Sequence, residues 1–438
     1  LEDNKAVLEQ NLMNNRISIV PGTESDQLPE PLAYRLQQGR RTRNYRETGR
    51  LRVGIAHDFL AQAGGAERVV EAIHRIYPNA PIYTSVFDPK ATLPYFEGQD
   101  IRTSFLQRTP FGNQRWHKLA LPLYPIAFEH FDLTQYDVVI SSSSCFAKSV
   151  ITNPDCCHIC YCHTPARFVW RNNEYMSQSK RTRIIRPLLG SLLTNLRTWD
   201  VTTANRVDYF VANSHNIAER IHKFYRRDAD VIYPPVQTDR FKPINVEDVS
   251  DDFLVVSRLI GYKRIDLAID ACTRLGVQLR VVGVGPDSAA LKKRAGPTVK
   301  FLGRLSDEEV AKEMARCRAM IFPGEEDFGI TPVECMASGR PVVAYGAGGA
   351  LETIVDGETG IFFEEQTVES LIEALKTAAT LRVDPDVIVK RARQFDISYF
   401  QERFEQFVCE AVKHHQGRQF NHSIASLPEF NFSGQLEE

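Results

Sequence analysis

The chain has 438 residues, a formal net charge of −2 at pH 7, 43% hydrophobic and 25% charged residues, the profile of an ordinary folded chain of about two or three domains, each large enough to bury a core. The near-zero charge excludes a global footprint for nucleic acid, and no apolar run approaches the ~20 residues that span a bilayer. The nine scattered cysteines point to free thiols in a reducing, cytoplasmic compartment rather than to a disulfide framework, and no basic–apolar–small pattern predicts a secretory leader.

Residues 1–49 are polar, rich in Asn, Gln and Arg, and lack periodicity, which predicts a mobile or loosely docked arm. The folded body begins at "LRVGIAHDFL", an apolar strand leading to a loop with Gly64 and Gly65. "AERVVEAIHRIY" then places Val69, Ile73 and Ile76 on one helical face. "APIYTSVF", "YDVVISSS", "HICYCHT" and "DYFVANS" follow as strands with helical stretches among them, the alternation of a mostly parallel sheet.

"DVIYPPVQTDRFKP" interrupts the series with Pro234, Pro235 and Pro243, and acidic "EDVSDD" follows, which marks a linker. A second series starts at "DFLVVSRL" and runs through "VQLRVVGVG", "TVKFLGRL", "RAMIFPG" and "RPVVAYG", with charged-faced helices between. The expected fold is therefore α/β: two doubly wound, Rossmann-like domains at 50–240 and 241–396, facing across a cleft at their strand ends. A helix at 397–416 is expected to cross back to the first domain, and the polar tail from 417 to be disordered.

Three stretches carry chemistry. In "EEDFGITPVECMASG" a strand leads through a loop into a helix, so the backbone N–H groups of Phe328, Gly329 and Ile330 lie at a helix N-terminus, where anions and sugar hydroxyls are well received. Glu326 before the loop and Glu334 one turn into the helix can each grip a vicinal diol, although Glu326 alone also reads as a solvated loop residue. In "SRLIGYKRID", Arg258 ends a strand and Lys263 follows in the loop; a guanidinium and an ammonium there can offset a diphosphate without a metal, or form a solvated cationic helix start. Third, "CCHICYCH" crowds Cys156, Cys157, Cys160 and Cys162 beside His163, but no second Cys pair matches them, so buried thiols are preferred to zinc. The glycines of "VGVGPD" are too short a signal to exceed a tight turn.

The ordered set "GGAER" (64–68), "CHTP" (162–165), "VANS" (211–214), "YPPV" (233–236), "SRLIGYK" (257–263), "VGVGP" (282–286), Glu326 to Glu334 and "GGALE" (348–352) resembles the retaining GT-B glycosyltransferases of family 4 across about positions 50 to 410. "CHTPARFVW", "LRTWD" and "RIHKFYRRDADVIYPP" are similar to the mannosyltransferases that build bacterial surface polysaccharides. The resemblance implies that Glu334 holds the nucleotide ribose. Glu326 and the backbone of Phe328, Gly329 and Ile330, with Thr331 beside them, hold the donor sugar. It further implies that Arg258 and Lys263 bind the diphosphate, Gly65 brings the first-domain loop to the phosphates, and His163 faces the sugar from across the cleft. The catalytic set so implied is His163, Glu326, Arg258 and Lys263, with no metal and no cofactor beyond a nucleotide-sugar donor: GDP-mannose is favoured, and a UDP-sugar is the other class. The acceptor would be a glycan or lipid-linked glycan. A two-domain nucleotide-sugar epimerase and a catalytically silent glycan-binding scaffold are the alternatives.

One segment bears on location. "SKRTRIIRPLLGSLLTNLRTW" (179–199) opens with Lys180, Arg181, Arg183 and Arg186 and continues with Leu188, Leu189, Leu192, Leu193, Leu196 and Trp199. It reads as a core-facing helix with a solvated basic start or as an interfacial helix on anionic lipid at the inner face of the membrane, with "WHKLALPLYPIAF" adding apolar contact.

Overall fold

The computed structural model describes residues 51–109, 117–170 and 182–425. The arm at 1–49, Lys180 and Arg181, and the side chains of Arg183, Arg186, Leu188 and Leu189 lie outside the described part. The described residues from Arg52 onward belong to one compact unit.

Two parallel sheets make the body. The first contains β1 (Val53–His57), β2 (Ile82–Thr84), β3 (Ile101–Thr103), β4 (Val138–Ser143), β5 (Cys157–Cys162), β6 (Tyr209–Ala212) and β7 (Ala229–Val231), in the order β3-β2-β1-β4-β5-β6-β7. The second contains β8 (Phe253–Val256), β9 (Leu279–Val282), β10 (Val299–Gly303), β11 (Ala319–Phe322), β12 (Val342–Tyr345) and β13 (Gly360–Phe363), in the order β10-β9-β8-β11-β12-β13. Both are doubly wound. In each, the chain builds outward from its first strand, then returns to that strand's other side, so the order reverses between β1 and β4 and again between β8 and β11. Ligands of open α/β sheets bind at these reversals, beyond the carboxyl ends of the strands.

The strands read as continuous apolar runs because helices cover both faces. Every residue of β1, β4 and β5 is buried. The Gly65–Ile76 helix turns Val69, Val70 and Ile73 inward at 1% exposure or less. β5 carries Cys157, Cys160 and Cys162 as buried free thiols, and burial pushes the Cys160 thiol up to about 12.

Two crossing segments join the sheets and bond to each other. The Val236 N–H donates to the Phe395 carbonyl at 3.0 Å, and the Ile397 N–H to the Val236 carbonyl at 2.9 Å. The final helix, Ile397–Ala425, then packs on the first sheet: Gln401 Nε2 donates to the Ala72 carbonyl, and Phe400 and Phe404 meet Tyr161 edge-on at 5.8 and 6.1 Å. This helix runs on to Ala425, past the expected boundary at Gly417. Extending an established helix adds one hydrogen bond per residue fixed, which outweighs a single glycine and a polar composition.

The described half of the 182–204 helix faces inward. Leu193 and Leu196 are 4% and 5% exposed, and Leu192 and Trp199 pack on buried clusters. Ile126, in the second apolar stretch, is 54% exposed. No helix among the described residues is long and apolar enough to cross a membrane.

Candidate functional site

The second-domain wall of the cleft sits at the β8/β11 reversal. The chain leaves β8 through Arg258, makes a single 3-10 turn at Gly261–Lys263 and enters the Ile265–Leu275 helix; beside it, β11 opens into the Glu325–Gly329 loop and the Ile330–Ala337 helix. Gly329 adopts φ 91°, a conformation that suits glycine, and so turns the loop into the helix. Gly349 donates its N–H to the Glu326 carbonyl at 2.9 Å, and a Cβ there would fall 2.2 Å from Phe328 Cα, so only glycine permits this packing of "GGALE" on the loop. Phe328 anchors the loop, 3% exposed, against Tyr233 and Phe395.

The structure brings Lys263 and Glu326 into direct ion-pair contact. Burial, with Arg167 and Arg258 nearby, lowers the Lys263 ammonium to about 7, against the pull of Asp327; the contact with Glu326 also favours the charged form. Arg258 is exposed. Gly329, Ile330 and Thr331 are partly exposed at the helix mouth. Burial raises the half-buried Glu334 carboxyl, while Arg68 and Arg240 pull it back.

The first-domain wall sits at the β1/β4 reversal. Asp58, just past β1, accepts four backbone N–H groups, from Ser144, Cys145, Phe146 and Ala147, at 2.6–2.9 Å, and so fixes the loop after β4. Parallel register pairs His57 with Ser142 and Ser143 with Cys162, which sets His57, Ser142 and His163 on one face. His57 Nδ1 lies 3.0 Å from the Ser142 carbonyl, and Ser142 Oγ lies 2.7 Å from His163 Nε2. Burial, with His57 nearby, lowers His163 to about 3, so its ring is neutral at physiological pH. Burial also opposes charge on His57, but Glu67, with Asp58 and the Ser142 carbonyl, outweighs this and holds His57 above its ordinary pKa.

The walls meet directly. Asp327, next to Glu326, accepts from Arg167 Nε at 3.1 Å and Arg220 Nη1 at 2.8 Å, and its carbonyl accepts from Ser214 Oγ at 2.7 Å. Asn213, adjacent to that serine, donates to the His163 carbonyl at 3.0 Å. Glu352 of "GGALE" caps the first-domain His215–Tyr225 helix through the His215 and Asn216 N–H groups at 2.8 and 3.0 Å. A Cβ on Gly65 would come within 2.8 Å of Ile330 Cδ1. Arg68 and Arg240 both pair with Asp307, at 3.0 and 2.8 Å, beside Glu334.

His163, Gly65, Lys263, Glu326 and the 328–331 turn thus gather around one cleft. Sequence reasoning missed Asp58, Glu67, His57, Arg68, Asp307 and Asp327; Glu67 and Arg68 stand inside "GGAER", where an acidic residue beside a cation was available as a signal. Two other features lie away from the cleft. Cys157, Asp208 and His415 bring three potential metal ligands within 4.8 Å of one another, but at the amino ends of β5 and β6. A cavity of about 230 Å³, lined by Asp251, Arg318, Arg340 and apolar side chains, sits at the amino ends of β8 and β12.

Comparison with known proteins follows the same division. The family model "Glycosyltransferase Family 4" matches residues 63–240 and "Glycosyl transferases group 1" matches 236–395. The chain is 30% identical over 177 residues to an uncharacterized glycosyltransferase of Methanocaldococcus jannaschii, a match covering 38% of this chain and only 48% of that relative. It is 25% identical over 337 residues to the human alpha-1,3/1,6-mannosyltransferase ALG2, over 67% of this chain and 77% of the relative. Among solved structures, Anabaena Alr3699/HepE in complex with UDP and glucose superposes with a TM-score of 0.61 at 19% identity, over 82% of this chain and all of that one. Sucrose-phosphate synthase from Thermosynechococcus elongatus gives 0.60 at 16%, over 86% and 100%. Two family models that meet at the crossover, on two doubly wound domains, establish that the chain belongs to the glycosyl transferases group 1 and has the GT-B fold.

Proposed function

We propose that the protein is a retaining, metal-independent hexosyltransferase that moves mannose from GDP-mannose to a glycan or lipid-linked glycan in polysaccharide biosynthesis. The observation that carries this reading is the desolvated Lys263–Glu326 pair at the β8/β11 reversal, opposite a neutral His163. An ammonium that burial destabilises gains from an incoming diphosphate, and its carboxylate partner can receive sugar hydroxyls. The ALG2 relatives, named as mannosyltransferases, support the sugar; the HepE complexes with UDP and glucose keep UDP-sugars as the second donor class.

In this mechanism Arg258 and Lys263 stabilise the charge that develops on the departing diphosphate as the bond from the anomeric carbon to its phosphate oxygen breaks. The acceptor oxygen bonds to the anomeric carbon on the same face, and its proton passes to the released phosphate oxygen. The anomeric configuration is therefore kept. His163 and Glu326 hold sugar hydroxyls from opposite walls while the ring flattens toward an oxocarbenium ion, and Glu334 holds the ribose. The two cations take the place of a divalent ion, so turnover should survive excess EDTA.

A thermal-shift panel of GDP-, UDP- and ADP-sugars tests the donor, since a ligand that binds only the folded chain raises its midpoint. Stabilisation by GDP-mannose with transfer to an added glycan supports the reading; an epimer formed from the donor alone would replace it with an epimerase. Sedimentation with anionic vesicles at low salt tests the membrane-surface reading. Because Leu193 and Leu196 are spent on the core, any binding would have to come from the basic start of the 182–204 helix and from exposed residues such as Ile126.

A further inference from the structure

A buried polar chain runs from the Gly65–Ile76 helix to the cleft, and its far end is unexplained by packing. Glu67 is 1% exposed, yet neither carboxylate oxygen has a hydrogen-bond partner, and His57 Nε2, 3.8 Å from Glu67 Oε1, has none either. Such groups cost free energy to bury, and an apolar residue on that helix face would avoid the cost.

The hydrogen-bond directions along the chain can be worked out. The Ser142 carbonyl can only accept, so His57 Nδ1, at 3.0 Å, carries a proton. The same N–H also lies 3.2 Å from Ser142 Oγ, which leaves the serine hydroxyl proton free for another acceptor. That acceptor is His163 Nε2, at 2.7 Å. A neutral His163 that accepts at Nε2 has its one proton on Nδ1. At the other end, an unprotonated His57 Nε2 would turn a lone pair toward a carboxylate. A carboxylate there favours a proton on His57 Nε2, which is one cause of the raised His57 pKa, and both ring nitrogens of His57 are then committed.

We propose that Glu67 is a positioning residue for the transfer: through His57 and the Ser142 hydroxyl, it fixes the tautomer in which His163 presents an Nδ1–H to the donor sugar. This rests on the placement of His163 against the donor, and adds a reason for the acidic residue in "GGAER". The Ser142 carbonyl holds a proton on His57 Nδ1 and the carboxylate favours a second on Nε2, so His57 has no alternative tautomer; its Nδ1–H reaches Ser142 Oγ, and the serine hydroxyl is left to donate to His163. Without the carboxylate His57 carries a single proton, which only the Ser142 carbonyl holds on Nδ1, so the alternative tautomers of both rings become accessible, and a His163 with a bare Nδ1 would turn a lone pair rather than an N–H toward the sugar.

The test uses the full chain labelled with ¹⁵N-histidine, whose ring shifts distinguish bare from protonated nitrogen, with His163→Gln assigning the His163 signals. The wild type should show a single His163 tautomer, bare at Nε2, and a doubly protonated His57. In Glu67→Gln, an isosteric change, His57 should become neutral and His163 should average between tautomers. The kcat should fall about 10–100-fold, the loss seen when the partner orienting a functional imidazole is removed, with donor KM within about twofold. Ser142→Thr, which keeps the hydroxyl, should retain the tautomer, and Ser142→Ala should lose it. An unchanged His163 tautomer in a folded Glu67→Gln chain overturns the proposal, whatever happens to kcat; so does a changed tautomer with unchanged kcat. If Glu67→Gln does not fold, Ser142→Ala cuts the same chain and is judged by the same two readings. The tautomer measurement needs no substrate, so a wild type with no transferase activity would sink the functional reading separately.

Discussion

Each domain carries a lysine near its strand ends, one fully and one partly buried, and the two are held very differently. Lys148, in the first domain, is 2% exposed and pairs with Asp200, itself 1% exposed. Asp200 also accepts from Trp170 Nε1 at 2.7 Å and Tyr225 OH at 2.9 Å, and the Lys148 ammonium lies 5.4 Å from the ring centres of both Trp199 and Tyr225. Burial works against this charge, but Asp200 more than offsets it, and the pKa is raised. Lys263, in the second domain, is 20% exposed, and burial with two guanidiniums nearby lowers it to about 7. A buried charge whose partners outweigh desolvation is a fastener. One whose partners fall short is stabilised further by an incoming anion, which is what a binding site requires.

The largest effect should come from breaking the fastener. Lys148→Met leaves Asp200 buried without its cation and should cost about 3–5 kcal/mol of stability, read from the denaturant midpoint. The raised pKa fixes the sign of the pH dependence: Lys148 contributes fully below the unfolded lysine value near pH 10.4, and the contribution fades only as pH rises through its higher folded value. Lys263→Met should show the reverse pattern. Its stability should change less than that of Lys148→Met, while turnover falls about 10²–10³-fold, the loss typical of removing a group that stabilises transition-state charge. If Lys263→Met unfolds the chain and Lys148→Met leaves it intact, the contrast between the two lysines is wrong.

The two glutamates sharpen the second-domain side. Each charged hydrogen bond lost should cost about 1.5–3 kcal/mol. In Glu334→Ala this should appear in donor KM if the carboxylate holds the ribose as proposed, since a ribose is remote from the reacting bond. In Glu326→Ala it should appear in kcat if the carboxylate holds the donor sugar as proposed, since that ring distorts in the transition state. Matching kinetics in both variants and the wild type would remove the site assignment.

Lys263 also predicts how donor binding depends on pH. In the proposed site the ammonium form is the one that binds diphosphate, and the ordinary lysine value near 10.4 is lowered to about 7 in the folded chain. Affinity should be flat below pH 7 and fall above it by up to about tenfold per unit, with proton uptake on binding. Calorimetry in two buffers of different ionisation enthalpy measures that uptake directly. In Lys263→Met the slope above pH 7 should vanish.

The sequence shows the two domains clearly because each parallel strand is a short apolar run and each helix keeps its period. It shows the second-domain wall nearly as well, since Glu326, the 328–331 turn and Glu334 lie in one segment. The first-domain wall is harder to see. His57, Glu67, Ser142 and His163 come from four segments, and each alone reads as an ordinary polar residue; only strand register brings them together. Lys148 and Asp200 are 52 positions apart, and nothing local to either marks a buried pair. Cross-domain contacts are hidden for the same reason: Arg220 and Asp327 are separated by 107 positions.

Those cross-domain contacts give the smallest predicted effect. Asp327 joins the walls through Arg167 and Arg220, and Arg220 also reaches Glu325 at 2.8 Å. These side chains are half-buried, at 12–31% exposure, so each pair contributes modestly and is screened by salt. Asp327→Asn should weaken the clasp by ~1 kcal/mol and raise donor KM by up to about fivefold, with kcat at saturating donor unchanged if, as proposed, the donor is held from both walls. Asp327 also neighbours Glu326, so the same rise could come from a disturbed loop. Arg220→Gln separates the two causes, since it loosens the clasp from the far domain while leaving the loop's own residues unchanged. Matching KM shifts in both variants, each reproduced in the wild type by raising ionic strength, locate the effect in the clasp. A shift confined to Asp327→Asn assigns it to the loop, and domain closure then owes nothing to these ion pairs.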